Sequence, residues 1–141
     1  MAEFTLKEHT ADVAVEATGD DLGATFAAVA DGLTAAMCDD WPAPDEPDGG
    51  ERTELGVVAE NPEAALYDYL DELIYERDVR AVLPVDNAAS VEGNGEWTVD
   101  GSYRAVPLSA VVARDVKAVT YSEMRLERVD GGWEAYVVFD V

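Results

Sequence analysis

Hydrophobic side chains recur along this chain at two different periods, and the order of those periods narrows the fold to α+β. Leu22, Phe26, Val29, Leu33 and Met37 recur at steps of four, three, four and four, the spacing of one buried stripe on a helix. Leu66, Leu70, Leu73 and Ile74 form a second such stripe. Elsewhere the alternation has period two. Val13, Val15 and Ala17 share one strand face, and Asp12, Ala14 and Glu16 share the other. From Val79 onward the reading is strand throughout: 79–85, then 97–106 after the polar stretch Asn87 to Glu96, then 116–129, with a hairpin turn at Asp130-Gly131-Gly132. In the last strand Trp133, Ala135, Val137, Phe139 and Val141 face one way, and Glu134, Tyr136, Val138 and Asp140 the other. With Phe4 to Lys7 and Thr53 to Ala59 as further strands, the order is β-β-α-β-α-β-β-β-β. This predicts an α+β fold, two helices packed on mainly antiparallel β-sheet in a single two-layer domain over residues 1–141.

Local signals mark the helix ends. Gly19 closes a strand, and Asp20 or Asp21 is placed to cap the first helix. Asn61-Pro62 pairs a cap residue with proline at the first helical position of the second. Gly23 and Gly32 weaken the first helix, Tyr67 and Tyr69 flank the second stripe as partly buried packing, and Asp68, Asp71, Glu72 and Glu76 lie mostly off it. Residues Asp39 to Glu51 hold six acids, three prolines, two glycines and no cation, the composition of an acidic surface loop inside the domain.

Charge bounds the partners. Against 31 acids stand 9 cations, a formal charge of −22. With 48% hydrophobic residues the chain can still bury a core, so the acids are not those of a disordered tail. Direct nucleic-acid binding is not expected without a basic footprint, and an anionic membrane surface repels such a chain. The acids are spread along the whole chain, which fits a salt-adapted surface better than a one-faced mimic of a polyanion. One cysteine, Cys38, cannot form an internal disulfide, and no signal-peptide pattern or apolar run of roughly 18 residues is present. A cytoplasmic protein is expected.

The common catalytic signatures are absent. One histidine excludes His-rich metal sites, no glycine-rich phosphate loop joins a strand to a helix, and no serine-nucleophile motif occurs. Cys38, at the end of the first stripe, reads as a small core thiol. Two places break the local pattern. One is Glu8-His9-Thr10-Ala11-Asp12, a polar cluster at a strand entrance that also suits an ordinary turn. The other is Asp140-Val141, where the strand pattern runs to the last residue and sets the Asp140 side chain beside the terminal carboxylate. Carboxylates brought together repel unless a cation or proton joins them, and an all-oxygen set suits Ca²⁺ or Mg²⁺ rather than zinc. Asp12 joins this set only if the first and last strands lie close.

Four segments together resemble the archease family: Glu8-His9-Thr10-Ala11-Asp12-Val13, Tyr67 to Tyr75, Val116-Lys117-Ala118-Val119-Thr120-Tyr121, and Gly132-Trp133-Glu134-Ala135 through Phe139-Asp140-Val141. The resemblance spans the whole chain in order. It implies a small α+β protein that is not itself a catalyst. Such a protein activates the tRNA-splicing RNA ligase, which joins 3′-phosphate or 2′,3′-cyclic-phosphate ends to 5′-hydroxyl ends, by promoting its guanylylation and multiple turnover. It further implies a divalent metal ion, Ca²⁺ or Mg²⁺, on Asp12, Asp140 and Val141. This chain departs from the family pattern at Glu8, at Asp71 and at Ser122, where many members carry aspartate, asparagine and histidine respectively. A metal-dependent phosphoester hydrolase and a metal-independent scaffold or chaperone-like module stand as the competing expectations.

Overall fold

The computed structural model describes residues 2–9, 12–42 and 51–141, excepting the side chains of residues 7–9. Seven strands and two α-helices follow the expected order: β1 (Glu3–His9), β2 (Asp12–Gly19), α1 (Leu22–Met37), β3 (Arg52–Ala59), α2 (Pro62–Arg80), β4 (Val82–Asn94), β5 (Glu96–Pro107), β6 (Ala118–Val129) and β7 (Gly132–Asp140), with one 3₁₀ turn at Leu108–Ala110. Among the described residues every strand pairing is antiparallel. The strands divide into a four-stranded sheet, β1-β2-β7-β6, and a three-stranded sheet, β3-β5-β4. The α+β expectation holds. Most of the acidic segment 39–51 lies outside the described residues.

The helix caps act as the sequence predicts. Asp21, not Asp20, caps α1, its side chain accepting the Ala24 N–H at 2.7 Å. Asn61 caps α2 in the same way through the Ala64 N–H at 2.8 Å. On α1 the stripe residues Phe26, Val29, Leu33 and Met37 are buried, and so are Ala28, Ala30, Thr34 and Ala36 on other sides. A helix apolar nearly all round is one enclosed by structure on more than one side. Its two glycines explain how. A Cβ on Gly23 would fall 2.4 Å from the Ala89 carbonyl oxygen of β4, and one on Gly32 would fall 2.4 Å from Val15 of β2. Nine residues apart, the two positions lie on opposite sides of the helix. These glycines are therefore the points at which one sheet on each side approaches α1, a gain in packing that offsets their weak helix propensity.

The strand-period face of β2 and β7 supplies the other half of the core. Val15, Ala17, Ala135, Val137 and Phe139 are all buried against α1 and α2 with Leu66, Leu70, Leu73 and Ile74. Truncating such a residue, Leu33→Ala for instance, costs about 2–5 kcal/mol.

Three local expectations are corrected. Helix α2 runs on to Arg80, so Val79 is its exposed penultimate residue and not the start of a strand. The polar stretch Asn87 to Glu96 is mostly strand: β4 continues to Asn94 and turns at Gly95 into β5, after a bulge between Val85 and Ala88. An edge strand with one wet face tolerates such polar residues. Tyr69 is fully buried rather than partly so, stacked against Phe26, and Glu76 is buried too. That carboxylate accepts the Tyr103 hydroxyl at 2.7 Å and pairs with Arg80 at 2.9 Å, which repays its removal from water.

Candidate metal centre at the strand ends

Asp12 opens β2 and Asp140 closes β7, and the register of those two strands sets them directly opposite each other. The inward residues of both strands have odd numbers, Val13, Val15 and Ala17 against Ala135, Val137 and Phe139, so both aspartates belong to the outward face. Directly opposed residues of an antiparallel pair share a face with Cβ atoms about 4.5–5.5 Å apart, close enough for like charges to repel. The pairing is fixed on both flanks. His9 of β1 is the register partner of Asp12, and Ala118 of β6 is that of Asp140, so one row crosses all four strands. The Asp140 carbonyl also accepts the Lys117 N–H at 2.8 Å.

The structure places the second strand, β2, and not the first, beside the last strand, β7, and this pairing is what lets Asp12 join Asp140. Asp12 is half-buried, Asp140 is exposed, and Val141 follows the strand end with 47% of its surface exposed. Among the described residues, no group of three or more His, Cys, Asp and Glu side chains converges on one point. The candidate donors are two carboxylates and the Val141 oxygen, a hard-oxygen set that fits Ca²⁺ or Mg²⁺ by chemistry and leaves most of the coordination shell to water or a partner. Residues 10–11 of the Glu8–Asp12 cluster lie outside the described residues, as does the His9 side chain.

Other candidate residues fall elsewhere. Cys38 is buried at the end of α1, its thiol directed to the carbonyls of Asp40 at 3.1 Å and Val112 at 3.4 Å, the small core thiol expected. Ser122 lies where β6 breaks its ladder with β7 between Thr120 and Arg125, and its N–H donates to Thr120 Oγ1 at 3.2 Å.

One polar site was not legible in the sequence. Asp31, half-buried on α1, has its Oδ1 accepting both the backbone N–H of Asn87 at 3.0 Å and the Asn87 amide at 2.9 Å. Burial pushes its carboxyl above the ordinary range, and the two Asn87 hydrogen bonds oppose that shift. The only signal was an acid inside a stripe-bearing helix, which by itself reads as a solvated side.

Among the described residues no helix is long and apolar enough to cross a membrane. The model of the archease protein family matches residues 4–141. The protein archease of Pyrococcus furiosus is 30% identical over 146 residues, with 100% of both chains covered. That of Thermococcus kodakarensis is 34% identical over 146 residues, again with 100% of both covered. The solution structure of protein 1598 from Methanobacterium thermoautotrophicum matches with a TM-score of 0.75 at 25% identity, covering 99% of this chain and 98% of that one. The crystal structure of an archease from Thermotoga maritima, described as a possible chaperone, matches with a TM-score of 0.59 at 22% identity, covering 96% and 94%, and speaks to the fold alone.

Proposed function

The chain belongs to the archease family, and from that premise we propose that it is an accessory protein that activates the tRNA-splicing RNA ligase by promoting its guanylylation and multiple turnover. The observation that carries the reading is the register of Asp12 against Asp140 at the open end of the four-stranded sheet. A protein without a nucleophile motif or phosphate loop holds two carboxylates of like charge side by side on its outer face. Such a pair is unfavourable in isolation and useful when it receives a cation.

In this reading Asp12, Asp140 and Val141 hold a divalent ion, Ca²⁺ or Mg²⁺. When bound, the ion supplies positive charge suited to phosphate oxygens such as those of a nucleotide. The chain's own contribution is placement. Hydrogen-bonded strands on both sides keep the two carboxylates in one row, and the exposed position of Asp140 lets the row be presented to the ligase. With −22 formal charge, contact with tRNA is left to the ligase.

Guanylylation of the purified ligase, measured with GTP in the presence and absence of this protein, tests the proposal. Asp12→Ala and Asp140→Ala should keep the fold and lose the stimulation. Normal stimulation by both variants would refute the metal-centred reading. It would favour the scaffold alternative. Turnover of a phosphoester by the protein alone would favour the hydrolase alternative.

A further inference from the structure

Two of the segments that carry the family resemblance, one in α2 and one in β6, take no part in the aspartate pair, yet they meet at Tyr67 and Tyr121. The two rings stack with centroids 4.2 Å apart and planes 7° from parallel. Tyr67 is half-buried on α2, while Tyr121 leaves 54% of its surface exposed. The local backbone is built around this placement. Strand β6 leaves its ladder between Thr120 and Arg125, and Glu123 adopts a φ of 58°, a left-handed conformation that a residue with a side chain takes only at a cost. A bulge of this kind re-aims a side chain, and here it lays Tyr121 over the second helix.

The surroundings carry one sign of charge. Asp68, exposed and next to Tyr67 on α2, adds a carboxylate beside the stack, and burial first, then that carboxylate, pushes the Tyr121 hydroxyl above its ordinary range. Asp71 and the exposed Tyr75 continue from Tyr67 along the same ridge at four-residue steps. Among the described residues the cations of α2 are engaged elsewhere, Arg77 with Asp78 at 2.7 Å and Arg80 with Glu76 at 2.9 Å. The surface therefore offers an electron-rich ring face and a carboxylate, with no described cation paired to Asp68.

We propose that the Tyr67–Tyr121 stack, together with Asp68, is a docking surface for an arginine side chain of the partner protein. A guanidinium is planar, stacks on an aromatic face and donates to a neighbouring carboxylate at once, which a lysine ammonium does less well. A nucleobase could stack on the same ring, but its phosphates would meet Asp68 and Asp71. The proposal rests on the reading that the chain acts on a partner protein, and it uses residues outside the aspartate pair.

The test is a titration of the full chain, followed by tyrosine ring resonances at high salt, with a short glycine–arginine peptide and, separately, with a single-stranded oligonucleotide. The peptide should shift the Tyr67 and Tyr121 signals. Tyr121→Ala should weaken its binding about tenfold, while Tyr121→Phe, which keeps the ring face, should stay within about twofold. Asp68→Asn, a change at an exposed position, should weaken it about threefold and serves if Tyr121→Ala disturbs the fold. Unchanged binding by Tyr121→Ala and Asp68→Asn, or ring shifts driven by the oligonucleotide instead, would overturn the proposal. A parallel measurement with the ligase separates the two readings. Tyr121→Ala should lose affinity for the enzyme, whereas Asp140→Ala should keep affinity and lose stimulation. If the wild-type protein failed to stimulate the ligase at all, the activation reading would fall while the peptide titration still decided the docking surface.

Discussion

Asp31 and the Asp12–Asp140 pair are two ways of placing carboxylates in one small protein. Asp31 sits between helix and sheet and is provided for from within, by two hydrogen bonds from Asn87 to a single oxygen. Asp12 and Asp140 are set against each other at the outer end of a sheet by the register of their strands. The first arrangement lowers the cost of a half-buried acid; the second aligns a half-buried acid with an exposed one across a strand pair. In the proposed reading, the contrast separates a carboxylate held for structure from carboxylates that receive an ion from outside.

The largest effect should come from the outer pair. Asp140→Ala should reduce stimulation of ligase guanylylation by about a hundredfold or more, equivalent to at least about 2.7 kcal/mol, with an unchanged circular dichroism spectrum. An unfolded Asp140→Ala would break the contrast by making this acid structural. Next in size is Asn87→Ala, which removes the side-chain amide bond to Asp31 and leaves only the backbone N–H of residue 87 to serve it. A loss of about 1–3 kcal/mol in denaturant unfolding is expected, with stimulation by the remaining folded protein intact.

Adding Ca²⁺ or Mg²⁺ should stabilise the wild-type chain, by about 2.7 kcal/mol at a hundredfold excess over the dissociation constant, and leave Asp12→Ala and Asp140→Ala unmoved. Thermal unfolding reads this directly, and equal stabilisation of both variants would place the ion elsewhere. A smaller effect belongs to pH. The Asp31 carboxyl is raised above its ordinary value of 3.8, so the folded state holds that proton more tightly than the unfolded state. Its contribution to stability is therefore greatest below 3.8 and is lost as pH rises through the raised folded value. Asp31→Asn should flatten this part of the stability–pH curve, and an unchanged slope would show that Asp31 holds its proton no more tightly in the folded state than in the unfolded one.

Much of the fold was legible because period and caps are local properties. The stripe from Leu22 to Met37 marked α1, and Asn61-Pro62 marked the start of α2, since a helix repeats every 3.6 residues whatever it packs against. Boundaries were less legible where side chains did not alternate. Val79 looked like strand because it is apolar, yet it continues a helix that ends only at Arg80, capped by Ala81 in the left-handed conformation with φ 55°. Asn87 looked like loop because it is polar, yet it lies at a strand bulge where it serves Asp31. In the candidate centre, Asp12 and Asp140 stood out as breaks in two strand patterns, whereas the meeting of Tyr67 and Tyr121 left no trace in either segment.

The sequence by itself determined which stretches are helix and strand, which face of each is apolar, and that the surface is strongly acidic, because these depend on neighbours a few residues away. Only the tertiary structure decided that β2 lies beside β7 with Asp12 facing Asp140, that the strands divide between two sheets with α1 closely approached by each, and that Tyr121 crosses to α2. A period-two pattern is satisfied by any partner strand that keeps the apolar face inward. Partner and register are chosen by packing between segments distant in the chain.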